Sequence, residues 1–291
     1  RRHRSRCDEM TPPLAQLFSS FKPLQRLGLA TASITESWMQ GRTTYGGLSA
    51  ALCLEGGRRL VADSGAAPAP LRSAQIAFTG PAGGNVEIES SYVRQGKAMS
   101  FVRAEASAGG KVATSALFAF GASRESGFAE LHVPPADLPA PDACKSIFDG
   151  AGMRPVFTAN FDARLARGGR PATASGETDH WVWVRHKGAN EDGGVYNVAP
   201  EVALLALADM PPPAIVAKFS SAFPIATATW HVNFLHDAPK AAPGGWWLVR
   251  SRAEHAQDGY SSQDMTVFGR DGQACVVGRQ CVAIFDQVSK L

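Results

Sequence analysis

The segment NVAPEVALLALAD, residues 197 to 209, ends on a carboxylate just before three consecutive prolines, Pro211 to Pro213. Val198, Val202 and Leu205 recur at helical spacing, and at about 100° per residue Asp209 falls on their face. The carboxylate therefore points where the apolar stripe points. Burial penalises its charged form, and the last turn of a helix carries partial negative charge, so both raise its affinity for a proton. That is how a general base is made; the plainer alternative is a solvated Asp at a frayed helix end.

Two more polar groups sit in apolar rows. Gln280 shares strand parity with Val276, Val282 and Ile284, where an unpaired amide costs a few kcal/mol, so something must answer it. Residues 226 to 234 alternate, with Ala228, Trp230, Val232 and Phe234 on one face and Thr227, Thr229, His231 and Asn233 on the other. A carboxylate (Asp209), a hydroxyl (Thr227) and an amide (Gln280) can bind a water, orient it and take its proton while it attacks a carbonyl. No side-chain nucleophile is required. Free N–H groups at a helix start, at Gly46 and Gly47 or at Asn197, are candidates to hold the resulting oxyanion. Thr229 and His231 are further candidates for substrate contact.

The elements that must position these groups follow from periodicity and turns. A short helix is expected over 12 to 21, a strand over 27 to 34 and a helix over 44 to 60. Strands follow over 71 to 79, 86 to 95, 99 to 108 and 112 to 120, separated by glycine-bearing turns short enough to imply an antiparallel meander. Residues 126 to 156 are a proline-rich connector. Beyond it come strands over 157 to 165 and 180 to 186, the helix over 197 to 209, and strands over 226 to 235, 246 to 256, 261 to 269 and 275 to 285. Setting Phe78 against Phe234 brings the turn glycines of both halves into near register, so one α+β unit is duplicated. The domains are 1 to 125, with 1 to 10 as a disordered extension, and 157 to 291. The polarity is not duplicated. Leu71 stands where the second half has Thr227, and the stretch 113 to 117 has no amide to match Gln280.

Composition narrows the function classes. With 45% hydrophobic and 19% charged residues, the 291-residue chain can bury a large core. The net charge of +3 owes much to the opening RRHRSR, and no basic stripe interleaved with aromatics follows, which argues against nucleic acid as a partner. That opening has no apolar stretch of a secretory signal, and no run is long enough for a membrane span. Five cysteines without a C-x-x-C pair, and scattered histidines, point to a reduced cytoplasmic protein with neither metal nor cofactor. Nucleophile-elbow, Walker A and dinucleotide-binding motifs are absent.

TYGGLSAAL in the first helix, PLRSAQIAFTGPA after it, and the order Asp209, ATATWHVNF, Gln280 resemble the acyl-CoA thioesterase II group over about 28 to 285. The resemblance implies a double hotdog fold, two fused units each with an antiparallel sheet wrapped around a central helix. It implies hydrolysis of acyl-CoA to a free acid and coenzyme A within lipid metabolism, with Asp209, Thr227 and Gln280 holding the water. Thr227 is preferred to Thr229, which stands where many members carry an acidic residue. The rival expectation is a double hotdog that binds acyl-CoA or lipid without cleaving it. A hydratase on this fold would want a closely spaced Asp and His at a helix start, which this chain lacks. Trp181, Trp183, Phe219 and Phe223 are candidates to cap the acyl pocket. An outer sheet face bearing Trp246 or Trp247 would suit a homo-oligomer.

Overall fold

Proline opens the first described helix, α1 (Pro13–Phe18), at a position whose N–H has no helical partner in any case. The computed structural model describes residues 11–65, 69–131, 137–149, 154–221 and 223–285. The basic opening and Cys7 lie outside the described residues. Strands β1 (Lys22–Pro23) and β2 (Leu29–Ile34) lead to a small hairpin of β3 (Met39–Gln40) and β4 (Thr43–Thr44). The long helix α2 (Gly46–Asp63) follows at once. The meander β5 (Leu71–Phe78), β6 (Gly84–Gln95), β7 (Met99–Ala108) and β8 (Lys111–Gly121) completes this half. After β9 (Lys145–Ser146), the second half runs β10 (Phe161–Arg167), β11 (Asp179–His186) and helix α3 (Pro200–Ala208). It ends with β12 (Ile225–Phe234), β13 (Trp247–Gln257), β14 (Tyr260–Phe268) and β15 (Ala274–Ile284).

Among the described residues thirteen strands form one sheet in the order β1-β2-β6-β7-β8-β5-β12-β15-β14-β13-β11-β10-β9. The halves join through β5 and β12, which pair antiparallel. Gln75 and His231, counterparts when Phe78 is set on Phe234, pair directly with each other there, so the approximate two-fold axis passes between them. Duplication read from turn glycines is thus the symmetry of the sheet itself.

The helices explain why the sheet must wrap. In α2, Leu48, Ala50, Ala51, Leu52, Cys53 and Leu54 are all fully buried, and in α3 every residue from 202 to 208 is buried. A helix apolar on all sides needs cover all round. The sheet supplies one side and the partner helix the other. The two helices run antiparallel: residues near Gly46 meet the end of α3, while Arg58 reaches Glu201 at its start. Gly56 permits the approach of α2 to β6, because a Cβ there would stand 2.6 Å from Ile88 Cγ2 and 2.8 Å from Ser90 Oγ.

Three expectations are corrected. The second helix begins at Pro200, not 197; Asn197 is exposed and left-handed (φ 57°), which breaks the helical run before it starts. The strand expected over 157 to 165 begins only at Phe161, after a 3-10 turn that buries Phe157. The described part of the connector, for its part, caps apolar surface. Leu138 packs on the cluster of Trp181, Leu248, Phe268 and Ala274, and Trp183 Nε1 donates to the Pro139 carbonyl at 2.9 Å. Trp246 and Trp247 are both buried, the former beneath the guanidinium groups of Arg164 and Arg185, so neither offers a surface for self-association.

Gly56→Val should destabilise the fold by about 2 kcal/mol or more through overpacking against β6, measured by denaturant unfolding.

Candidate active site

The C-terminus of α3 and the N-terminus of α2 abut, and Asp209 lies in the joint. It is the C-cap of α3, where the proline run prevents another turn. Gly46 stands against it: a Cβ on Gly46 would lie 2.9 Å from Asp209 Oδ2 and 3.4 Å from the Phe78 ring. Gly47 is equally confined, because its Cβ would meet the Tyr45 hydroxyl and, at 2.6 Å, the Ala206 carbonyl oxygen. The glycines of TYGG are there because nothing larger fits between the two helix ends.

Tyr45 fastens that joint. Its hydroxyl donates to the carbonyl of Ala206, one of the last carbonyls of α3 without a helical partner, and its ring stacks on Phe157 at 4.2 Å. Both sides are fully buried, so the bond is expensive to lose. Burial, and then the nearby Asp209, push the phenol well above its ordinary pKa, which keeps it a donor. His186 supports the same helix from below. Its Nε2 lies 2.8 Å from the Ala203 carbonyl, which can only accept, so the neutral ring carries its proton there. Burial lowers its pKa to about 4.

Gln280 Nε2 donates to Asp209 Oδ1 at 2.6 Å. This answers the buried amide that strand parity isolates. Its other end accepts from Gln263 Nε2, and Gln263 Oε1 accepts the Ala214 backbone N–H at 2.9 Å. Every donor in this chain of bonds points toward the carboxylate. Gln263 escaped the sequence reading, although it precedes Met265 and Val267 in the row that alternation buries, the signal that singles out Gln280.

Burial raises the pKa of Asp209 to about 7, against the opposing pull of the Gln280 amide and, more weakly, of the Gly47 N–H. The residue nevertheless keeps partial exposure. A carboxylate with this proton affinity can act as a base near neutrality.

Thr227 owes its orientation to a β-bulge. Thr227 pairs with Val282 but Thr229 pairs with Cys281, leaving Ala228 as the extra residue. Strict alternation places Thr227 and Thr229 on one face; the bulge separates them. Thr227 turns to the inner face with Val282 and Gln280, is partly exposed, and its hydroxyl makes no hydrogen bond to another described residue. Thr229 and His231 lie exposed on the outer face, where His231 Nε2 is 3.3 Å from Ser73 Oγ. Asn197 belongs to the far end of α3. Of the sequence-expected residues, then, Asp209, Gln280, Gly46 and Gly47 meet in one place, with Thr227 on the same face of the sheet as Gln280.

The first half has no such site. The counterpart of Gln280 is Phe118, one position beyond the stretch expected from sequence; that of Gln263 is Val102, and that of Thr227 is Leu71. All three are buried and apolar.

Tyr45→Phe leaves a buried carbonyl unpaired and should cost about 1–3 kcal/mol of stability, checked by chemical denaturation. Asp209 binds its proton more tightly folded than unfolded. Its contribution to stability is therefore complete below about 3.8 and is lost as pH rises through about 7. Asp209→Asn should be more stable than wild type at pH 8, by at most a few kcal/mol given the residual exposure, with the gap closing toward pH 4.

Comparison with known proteins agrees with this architecture. Residues 34–121 match the acyl-CoA thioesterase N-terminal domain and residues 135–284 the acyl-CoA thioesterase C-terminal domain. A conserved hot dog protein of unknown function from Alicyclobacillus acidocaldarius superposes with a TM-score of 0.78 at 22% identity, covering 93% of this chain and 97% of that one. A putative thioesterase II from Thermobifida fusca gives 0.75 at 16% identity, covering 94% and 98%. The tesB protein of Mycobacterium avium subs paratuberculosis gives 0.71 at 16%, covering 93% and 98%. No curated protein matches the chain significantly. Among the described residues no helix is long and apolar enough to cross a membrane. The fold is a double hotdog, and the chain belongs to the acyl-CoA thioesterase family, hydrolases acting on thioesters.

Proposed function

We propose that this protein hydrolyses acyl-CoA by means of a water molecule activated by Asp209. The observation that carries the reading is the 2.6 Å bond from Gln280 to a carboxylate whose pKa is raised to about 7, on a residue that keeps partial exposure. Asp209 takes a proton as the water oxygen bonds to the thioester carbon. The tetrahedral intermediate then expels the coenzyme A sulfur, which receives that proton, and the acyl group leaves as a free acid. Gln280 and Thr227 hold the water, Thr227 with a hydroxyl not committed to another described residue. The Gly47 N–H is directed at Asp209 itself, so the N–H of Gly46, the first residue of α2 and packed beside Asp209, is the donor for the oxyanion. The Phe78 ring walls the same spot.

A thiol-release assay over a panel of acyl-CoA chain lengths tests this. Asp209→Asn should lower kcat by about a thousandfold while keeping the fold, and wild-type kcat/KM should rise with pH through about 7 as the base deprotonates. Thr227→Val should lower the rate where Thr229→Val does not. Unchanged turnover in Asp209→Asn would remove it from the mechanism. Saturable acyl-CoA binding by the wild type with no thiol release would make the protein a binding module.

A further inference from the structure

Two glutamines lie side by side in the core, on β14 and β15, and only one of them touches Asp209. The fold does not require amides there. In the first half the same two positions are Val102 and Phe118, paired strand to strand in the same way and fully buried. Filling them with polar groups costs stability unless every polar atom is answered, so the second glutamine needs a reason.

Its bonds supply one. The two ends of a glutamine amide are nearly alike in shape, and only partners decide which way it faces. Gln280 alone has no such instruction beyond the carboxylate it meets. Gln263 has an outside reference, the Ala214 N–H, which can be answered only by the amide oxygen; its nitrogen must then face Gln280. That turns the Gln280 oxygen inward and its nitrogen onto Asp209. Ala214 lies just past the proline run that begins beside Asp209, so the ring of bonds closes through a short, stiff stretch of chain.

We propose that Gln263 is a positioning residue for thioester hydrolysis: referenced to the Ala214 N–H, it dictates which end of the Gln280 amide meets Asp209. Reversal of Gln280 would set oxygen against oxygen and favour the protonated, inactive acid. The proposal rests on Asp209 serving as the base.

Two variants separate this from a space-filling role. In Gln263→Glu the side chain, once ionised, accepts from Ala214 and can no longer donate to Gln280, which turns its nitrogen to the new carboxylate and its oxygen to Asp209; its charge also raises the Asp209 pKa, so the uncharged Gln263→Met is the variant that isolates orientation. Gln263→Met keeps the volume and gives no instruction. The acid limb of kcat/KM should move up by about one pH unit or more in Gln263→Glu, and by less in Gln263→Met, with kcat at pH 7 down about tenfold and KM within about threefold. The carbon-13 carboxyl resonance of Asp209, assigned by its absence in Asp209→Asn, should titrate higher in the same order without any substrate present. Wild-type titration and acid limb in both variants would overturn the proposal, as would a fall in activity that only tracks the folded fraction. Loss of the fold in both would mark the amide as structural and overturn it likewise. If Asp209→Asn retains wild-type rates, the base assignment fails instead, while the resonance still reports whether Gln263 governs Asp209.

Discussion

The head of one helix is pressed onto the tail of another, and an acid is caught between them. Opposite partial charges make the contact of α2 with α3 favourable, but the same closeness strips most of the water from Asp209. Desolvation dominates and holds its proton affinity near neutrality, while Gln280 and Gly47 pull the other way. The Gly47 N–H would not reach the group if the helices were an ångström or two further apart. Their separation is set by residues with no side chain, Gly46 and Gly47, and by the Tyr45 hydroxyl bonded across the gap. The large antiparallel sheet is the clamp that keeps both helices in register.

Polarity is distributed very unevenly about the two-fold. Around the end of β15 the inner face carries Gln280, Gln263 and Thr227, and the related place on β8 carries Phe118, Val102 and Leu71. Matching strand register, down to a bulge in β5 between Leu71 and Ser73 that corresponds to the one in β12, thus frames one polar cluster and one apolar core. The bulge has a different consequence in each. In β5 it sends a leucine inward to pack; in β12 it sends a hydroxyl inward, facing the side that Gln280 faces.

Most of the scaffold was legible from periodicity and punctuation. Alternation placed the strands, helical periodicity over 44 to 60 announced the first long helix, and the turn glycines exposed the duplication before any sheet was visible. Asp209 and Gln280 were found by one argument, a polar group in an apolar row, because burial leaves that contradiction in the sequence. What escaped depends on contacts between distant segments. Strict period-two counting has no means of registering an extra residue, so it put Thr227 on the outer face with Thr229. Asn197 looked like a helix start because nothing local distinguishes it from one until the chain turns left-handed there. Trp246 looked like surface because the arginines that cover it come from β10 and β11.

The direct pairing of Gln75 with His231 places the seam between repeats in the middle of a single covalent chain. In a symmetric dimer of half-length subunits, any substitution appears twice, so a glutamine introduced to serve one pocket would also be forced into the other. Fusion removes that constraint. Each copy is then free to differ, one keeping a hydrocarbon filling and the other giving up part of it for buried amides, with the apolar copy supplying the helix end against which Asp209 is pressed.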